Sequence, residues 1–320
     1  MKSSYRTTYG SPRVLTTKDV EIPKIKPDEL LVRVMASTVN RTDCAILTGE
    51  PFVMRFFTGL RKPTLFATGT DFAGIIEQVG TEITKFKIGD RVFGFHDEGI
   101  GSHAEYLSFP IKKPLGLIPE NTSFETAAAS LEGAHYAINF MNKVDLKKGD
   151  NLLIYGASGA IGSALVQLAL AKEITISVVT NSATFEYFKS LDLKRVVDYQ
   201  TEDFTKIDDT FDCIFDAVGK STYFTCRQLL KPKGIYISSE LGPWVQNPLL
   251  SLVSVFKSGK KVKFPVPLDI PKSIIIIQEL LSQQKFVPLI DRMYHLEHIS
   301  EAFDYTLSGK KNGNVIIKMD

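Results

Sequence analysis

The stretch Leu152-Leu-Ile-Tyr-Gly-Ala-Ser-Gly-Ala-Ile-Gly162 constrains the fold of this chain more than any other. An apolar run enters a glycine-rich turn and leaves it directly as a run of helix formers. Set against the pattern G-x-G-x-x-G, the three positions are Ala157, Gly159 and Gly162. Gly159 carries no side chain, so a pyrophosphate can approach its backbone, and Gly162 lets the helix pack closely on the strand. The N–H groups of the first helical turn, at Ala160, Ile161 and Gly162, together with the helix dipole, can then hold phosphates. Alanine at the first position departs from the pattern, but strand–turn–helix is the context that the fingerprint demands. The competing reading is a close-packed turn with no ligand.

Around this turn the pattern alternates between elements. Strands are expected at 151–155, 175–180, 195–198, 211–216 and 235–239, and helices at 160–172, 184–191 and 221–230. Segments such as CIFDAV and LLIY are apolar on both faces, which is the signature of a parallel sheet covered by helices on both sides. The first third reads differently. LLVRVMA (30–36) and AGIIEQV (73–79) alternate, and a short apolar run at 91–95 follows the turn pair Gly89-Asp90. Short strands broken by turns suggest a small barrel-like domain. The change comes at Ser123, which stands as N-cap before one helix running through AAASLEGAHYAINFM. After residue 270 come helices at 273–284 and 299–308 and a last strand, NVIIK (314–318). With no βαβ partner left, that strand could return to the barrel.

Composition bounds the function. A length of 320 residues suits two domains, and 44% hydrophobic with 23% charged residues is ordinary for a globular protein. Lys+Arg 38 against Asp+Glu 36 leaves a net charge of +2, which argues against a dedicated binder of nucleic acid or anionic membranes. The three cysteines, Cys44, Cys213 and Cys226, are odd in number and have no C-x-x-C spacing, so neither a disulfide framework nor a four-thiolate zinc site is expected. Reduced thiols, an N-terminus (MKSSYRTTYG) with no apolar signal region, and apolar runs far below the ~20 residues of a spanning helix point to a soluble cytoplasmic protein.

Seven segments carry a resemblance across almost the whole chain: VNRTDCAILTG (39–49), GTDFAGIIEQVG (69–80), KIGDRVFGF (87–95), YGASGAIGSALVQLA (155–169), VVDYQTEDF (196–204), FDCIFDAVGKS (211–221) and LLKPKGIYISSELGP (229–243). In this order they resemble the medium-chain dehydrogenase/reductase superfamily, and within it the zinc-free quinone oxidoreductase group. The resemblance implies an α/β chain of two domains. A GroES-like, β-rich catalytic domain takes residues 1–122 and 267–320, and a Rossmann domain with a doubly wound parallel sheet takes 123–266. Zinc-dependent relatives have Cys where Asn40 stands and His-Glu where Thr70-Asp71 stand. Asparagine and threonine are poor zinc ligands, so no zinc is expected. His96, Asp97, Glu98 and His103 match no zinc spacing and read as a solvated loop.

The resemblance also implies a nicotinamide cofactor. An NAD enzyme usually ends its second Rossmann strand with Asp or Glu for the ribose 2′-OH. Here that strand ends Thr180-Asn181-Ser182, with no acid, which favours NADPH over NADH. Relatives often have Arg or Lys where Ala183 stands, so the 2′-phosphate clamp is reduced. Tyr199 matches a tyrosine that flanks that phosphate, with strand-end packing as its other reading. Val218 and Leu241 fall at further cofactor positions. His135 stands where relatives have Thr near the phosphates, as a phosphate contact or a packed histidine. Asn314 replaces a lysine that could touch phosphate.

No Ser-His-Asp, Cys-His or paired-carboxylate arrangement is visible. Without a Lewis acid, hydride transfer suits a conjugated acceptor, a quinone or an α,β-unsaturated carbonyl, better than a simple alcohol or ketone. Asn40 is the candidate to hold a substrate oxygen or the nicotinamide ribose, and Asp43 the candidate to orient its turn. Ala45 replaces a tyrosine found in some relatives, so no general acid transfers. Residues 50–61 (EPFVMRFFTGLR) read as a lip on a substrate cleft or a packed excursion, and Trp244 as a substrate wall. Relatives pair through a Rossmann edge matched by 235–239 and 249–266, so a homodimer acting on a small molecule is expected. The rival readings are an NAD(P)-dependent alcohol or carbonyl dehydrogenase on the same scaffold and a catalytically idle NADPH-binding protein.

Overall fold

The computed structural model describes residues 1–256 and 258–319. The chain divides into two compact units, one formed by Met1–Glu132 together with the chain from Asp269 onward, the other by Gly133–Leu268.

The first unit is organised around the 11-residue strand Glu29–Val39. Asp71–Val79 pairs with it antiparallel on one side. Its other side is shared by Tyr106–Pro110 over Glu29–Arg33 and by the C-terminal strand Asn314–Lys318 over Ala36–Val39. The last strand therefore does return to the N-terminal sheet, and Ile290–His295 extends the sheet beyond it. The expected alternation holds only around half-buried Arg33 and Met35; the rest of Glu29–Val39 is buried on both faces. Bulges between Leu31 and Val32 and between Val34 and Ala36 curl the strand, so that one face closes on Leu30, Val32, Phe72, Phe109, Phe303 and Ile317.

The second unit is a six-stranded, wholly parallel sheet. Its order is Arg195–Asp198, Thr175–Thr180, Asn151–Tyr155, Phe211–Asp216, Leu230–Ser238, Lys261–Lys263. The chain winds outward from Asn151–Tyr155 first one way and then the other, so the strand order reverses between this strand and Phe211–Asp216. That is the switch point at which open α/β sheets bind ligands, beyond the carboxyl ends of the strands.

Three expectations are corrected. The helix beginning after Ser123 is two helices, Phe124–Ala129 and Glu132–Met141. Ser123 caps the first as expected, but the Ser130 hydroxyl donates back to the Thr126 carbonyl at 2.6 Å, a bond that bends helices, and the path breaks there. The strand at 235–239 is not a sheet edge, because Lys261–Lys263 pairs along its outer side. The helix expected at 221–230 is one turn, Tyr223–Cys226, followed by a 3-10 turn, because Leu230 already begins the next strand beside Phe211.

Candidate functional site: a glycine cradle and a buried polar network

The turn after Asn151–Tyr155 shows a division of labour among its glycines. Gly156 makes the sharp turn at φ 82°, and both its N–H and that of Ala157 donate to the Val179 carbonyl at 3.0 Å. Gly156 precedes the first fingerprint position, so the pattern G-x-G-x-x-G does not single it out. Gly162 is required by packing, since a Cβ there would lie 2.2 Å from the Gly156 carbonyl oxygen. Gly159 is required by neither. Its φ of −79° and ψ of 168° suit any residue, and a Cβ would meet nothing closer than the Gly156 oxygen at 3.5 Å. The space over Gly159 is a cradle that a side chain would fill. No side chain caps the helix Ala160–Leu170 that it opens, so the N–H groups of Ala160, Ile161 and Gly162 have no intrahelical acceptor. Open backbone, free donors and the positive end of a three-turn helix together fit a pyrophosphate.

Val218 lies beside this cradle, its Cγ1 3.9 Å from the Cβ position of Gly159. It is held by Asp216, whose carboxylate accepts the N–H groups of Val218, Gly219 and Ser221 and the Tyr236 hydroxyl, at 2.7–3.1 Å. Burial raises the Asp216 pKa, and these four donors oppose the rise. Leu241 is exposed on the segment after the next strand. His135 is 1% exposed on Glu132–Met141, a helix drawn against the cradle because a Cβ on Gly133 would touch Ala160. The His135 ring stands edge-on to Tyr136.

At the end of the second strand the predicted residues cluster. Asn181 caps the helix Ser182–Lys189 by accepting the Thr184 N–H, and the buried Thr180 hydroxyl bonds that of Thr184 at 2.6 Å. The Tyr199 N–H donates to the Thr180 carbonyl, and its side chain is half exposed. An acid is present after all, contributed by the third strand. The Ser182 hydroxyl donates to the Asp198 carboxylate, which also accepts the Gln200 N–H. Asp198 is buried, so its oxygens face these partners rather than the solvent.

In the first unit, Asn40 and Asp43 form a reciprocal cap on the helix Arg41–Thr48. The Asn40 amide NH₂ then faces Thr70 Oγ1 at 2.8 Å, Thr38 Oγ1 at 3.2 Å and Asp71 Oδ2 at 3.2 Å. Asp71 also accepts the Thr38 N–H at 2.7 Å and the Thr38 hydroxyl. Burial pushes Asp71 up to about 7 against the pull of these Thr38 and Asn40 donors. Burial and the neighbouring Asp71 charge hold Asp43 well above the carboxylate range, and burial raises Glu132, whose carboxylate accepts the Thr42 hydroxyl at 3.2 Å. His103 is not part of a solvated loop. Its Nε2–H donates to the Thr38 carbonyl at 2.8 Å and its Nδ1 accepts the Thr68 hydroxyl at 2.7 Å, with burial lowering its pKa to about 4. Asn314 belongs to this unit, where its amide donates to the Leu289 carbonyl at 3.0 Å. Among the described residues no group of three or more His, Cys, Asp or Glu is arranged to hold a metal ion.

The family described as "Alcohol dehydrogenase GroES-like domain" matches residues 26–120, and that described as "Zinc-binding dehydrogenase" matches 191–317. The chain belongs to the medium-chain dehydrogenase/reductase superfamily. Among curated members, the 2-methylene-furan-3-one reductase of Solanum lycopersicum is 29% identical over 329 residues, covering 99% of this chain and 79% of the relative. The NADPH-dependent alkenal/one oxidoreductase of Arabidopsis thaliana chloroplasts is 28% identical, covering 68% of this chain and 58% of the relative. The fold of the superfamily is matched end to end by the quinone oxidoreductase of Coxiella burnetii, with a TM-score of 0.87 at 24% identity over 100% of this chain and 99% of that one. Among the described residues no helix is long and apolar enough to cross a membrane.

Proposed function

We propose that the chain is an NADPH-dependent reductase of α,β-unsaturated carbonyls and quinones that works without zinc. The observation that carries this reading is the empty space over Gly159, a glycine needed by neither backbone nor packing, at the mouth of an uncapped helix. Two relatives that act on conjugated carbonyl compounds, by their names, support the acceptor class. NADPH bound there supplies a hydride to the electron-poor end of the conjugated system, and a solvent proton completes the reduced product. The N–H groups of Ala160, Ile161 and Gly162 hold the pyrophosphate. Asn181, Ser182 and Tyr199 stand at the adenosine end, while Thr180 is buried and its hydroxyl bonds that of Thr184. Because Asp198 is turned inward, its carboxylate does not face a 2′-phosphate, so NADPH is preferred to NADH. Fluorescence titration with the two reduced cofactors tests this, and tighter binding of NADH contradicts it.

The orientation of Asn40 supports zinc independence. Its Oδ1 is fixed on the Asp43 N–H, so the NH₂ side, which has no lone pair to offer a metal, faces Thr70 and Asp71. Metal analysis of untagged protein is expected to give well under one zinc per chain, and stoichiometric zinc with chelator-sensitive activity contradicts it. Asn40 and Asp43 act by position, holding the strand-to-helix turn.

The protein pairs as a homodimer. Support comes from the helix Gln246–Ser254 and the residues after it, which expose Leu249, Leu252, Val255 and Phe256, the last to 86%. The neighbouring edge strand carries Lys261 and Lys263, which discourage strand addition, so this helical face is the interface. Light scattering at micromolar concentration is expected to show a dimer, and a stable monomer refutes it. Cys44, Cys213 and Cys226 are buried and unpaired, which fits a reducing compartment, the cytoplasm.

A further inference from the structure

Residues 51–66 hold a second apolar surface, and it belongs to the first unit. The segment folds as a 3-10 turn, Phe52–Met54, and one helical turn, Arg55–Thr58. It is pinned from beneath. The Tyr9 hydroxyl bonds Thr58 Oγ1 at 2.8 Å and donates to the Gly59 carbonyl at 2.6 Å. The Thr64 N–H and hydroxyl both donate to the Thr58 carbonyl. Arg55 lies over the rings of Tyr9 and Phe52 and donates to the Gly49 carbonyl. These anchors use the inner side of the segment, so the outer side stays bare. Phe56 is 66% and Phe57 62% exposed, and Phe52, Val53, Leu60, Leu65 and Phe66 are also exposed.

Charge separates this surface from an ordinary packing face. Between Pro51 and Thr70 the sequence has Arg55, Arg61 and Lys62 and no acid; Arg55 pairs with Glu50 at 3.9 Å, so the open positive charge is that of Arg61 and Lys62, exposed beside Leu60. The whole-chain balance of +2 conceals this local one, and it was on that balance that the sequence argued against an anionic membrane as partner. Protruding phenylalanines flanked by cations match a bilayer interface rimmed with anionic headgroups: the rings enter the acyl boundary while Arg and Lys remain at the phosphates. Neither half suffices alone, since exposed phenylalanines without cations would suit any apolar partner and the two cations Arg61 and Lys62 without rings would bind weakly.

We propose that Pro51–Phe66 is a peripheral membrane-docking element that seats the protein on anionic lipid bilayers. The first unit touches the bilayer surface through the tips of Phe52, Phe56, Phe57 and Leu60, and among the described residues no helix is long and apolar enough to span it.

Sedimentation of the full chain with phosphatidylcholine vesicles and with vesicles containing phosphatidylglycerol tests the proposal. Binding is expected to the anionic vesicles, far above the neutral ones, and to weaken as salt rises from about 0.1 to about 0.5 M. F56S/F57S and R61E/K62E are each expected to lower the apparent partition coefficient roughly tenfold or more. Melting temperature and NADPH affinity, which report folding of the two units, serve as controls for both variants. Failure of the parent to bind anionic vesicles overturns the proposal, as does undiminished binding by folded F56S/F57S. Self-association of the parent that is lost in F56S/F57S would assign the face to a second copy of the chain and overturn it equally.

Discussion

Asn40 and Asp43 cap each other's backbone. Asn40 Oδ1 accepts the Asp43 N–H at 2.9 Å, and the Asp43 carboxylate accepts the Asn40 N–H at 3.1 Å. The pair ends the central strand Glu29–Val39 and starts the helix Arg41–Thr48 within three residues, and it does so where Asn40 is only 2% exposed. Both ends of the Asn40 side chain are therefore engaged by the protein itself.

Asn40→Ala is accordingly expected to destabilise the first unit. Loss of the cap costs ~1 kcal/mol, and leaving Thr70 and Asp71 short of a buried donor brings the total to ~1–3 kcal/mol. Asn40→Ser retains a cap acceptor and is expected to lose less. NADPH affinity, set in the other unit, should not change, while kcat/KM falls as the turn loosens. Thermal melts and kinetics on the same preparations check this, and an unaltered melting temperature for Asn40→Ala contradicts it.

The glycines of the cradle separate fold from ligand. Gly162→Ala places a Cβ 2.2 Å from the Gly156 carbonyl oxygen, a backbone atom that cannot step aside, and is expected to cost ~1–3 kcal/mol or more of stability. Gly159→Ala meets only ordinary contact distances, so it should melt near the parent yet bind NADPH ~10-fold or more weakly. Gly159→Asp adds a like charge to the phosphates and is expected to abolish binding in a folded protein. Equal NADPH affinity in Gly159→Asp and the parent contradicts the site.

Asp71 makes stability depend on pH in a stated direction. Its folded pKa of about 7 lies above the unfolded value of 3.8, so the native state holds the proton more tightly. The resulting stabilisation is complete below about pH 4 and is lost as pH rises through about 7. Asp71→Asn removes this titration. The melting temperature of the parent relative to Asp71→Asn is expected to fall between pH 4 and pH 7. A difference that stays flat or rises over that range contradicts the buried, raised carboxyl.

Much of this architecture is legible in the chain because its signals are local. The apolar run into Gly156–Gly162, the cap at Ser123 and the orphan strand at 314–318 each need only a few neighbouring residues to be read. What escapes depends on contacts made across the fold. Lys261–Lys263 is a strand only because Leu230–Ser238 offers it an edge. Asp198 reaches Ser182 from the next strand, 16 residues away, so scanning the end of the second strand finds no acid. His103 looks like a loop histidine beside His96, yet the approach of Thr38 and Thr68 makes it a buried neutral link. The three-way engagement of the Asn40 amide likewise rests on Thr70 and Asp71, 30 and 31 residues distant.

Turnover of NADPH against a panel of quinones, α,β-unsaturated ketones and aldehydes, saturated ketones and alcohols tests the central claim most directly, run with and without chelator. The account predicts NADPH oxidation with the conjugated acceptors, little or none with the saturated compounds, and no loss on chelation. Positioning alone can lower such a barrier by ~7–11 kcal/mol. Reduction of saturated ketones with no activity on any quinone or enone, or activity that chelator abolishes, would contradict it.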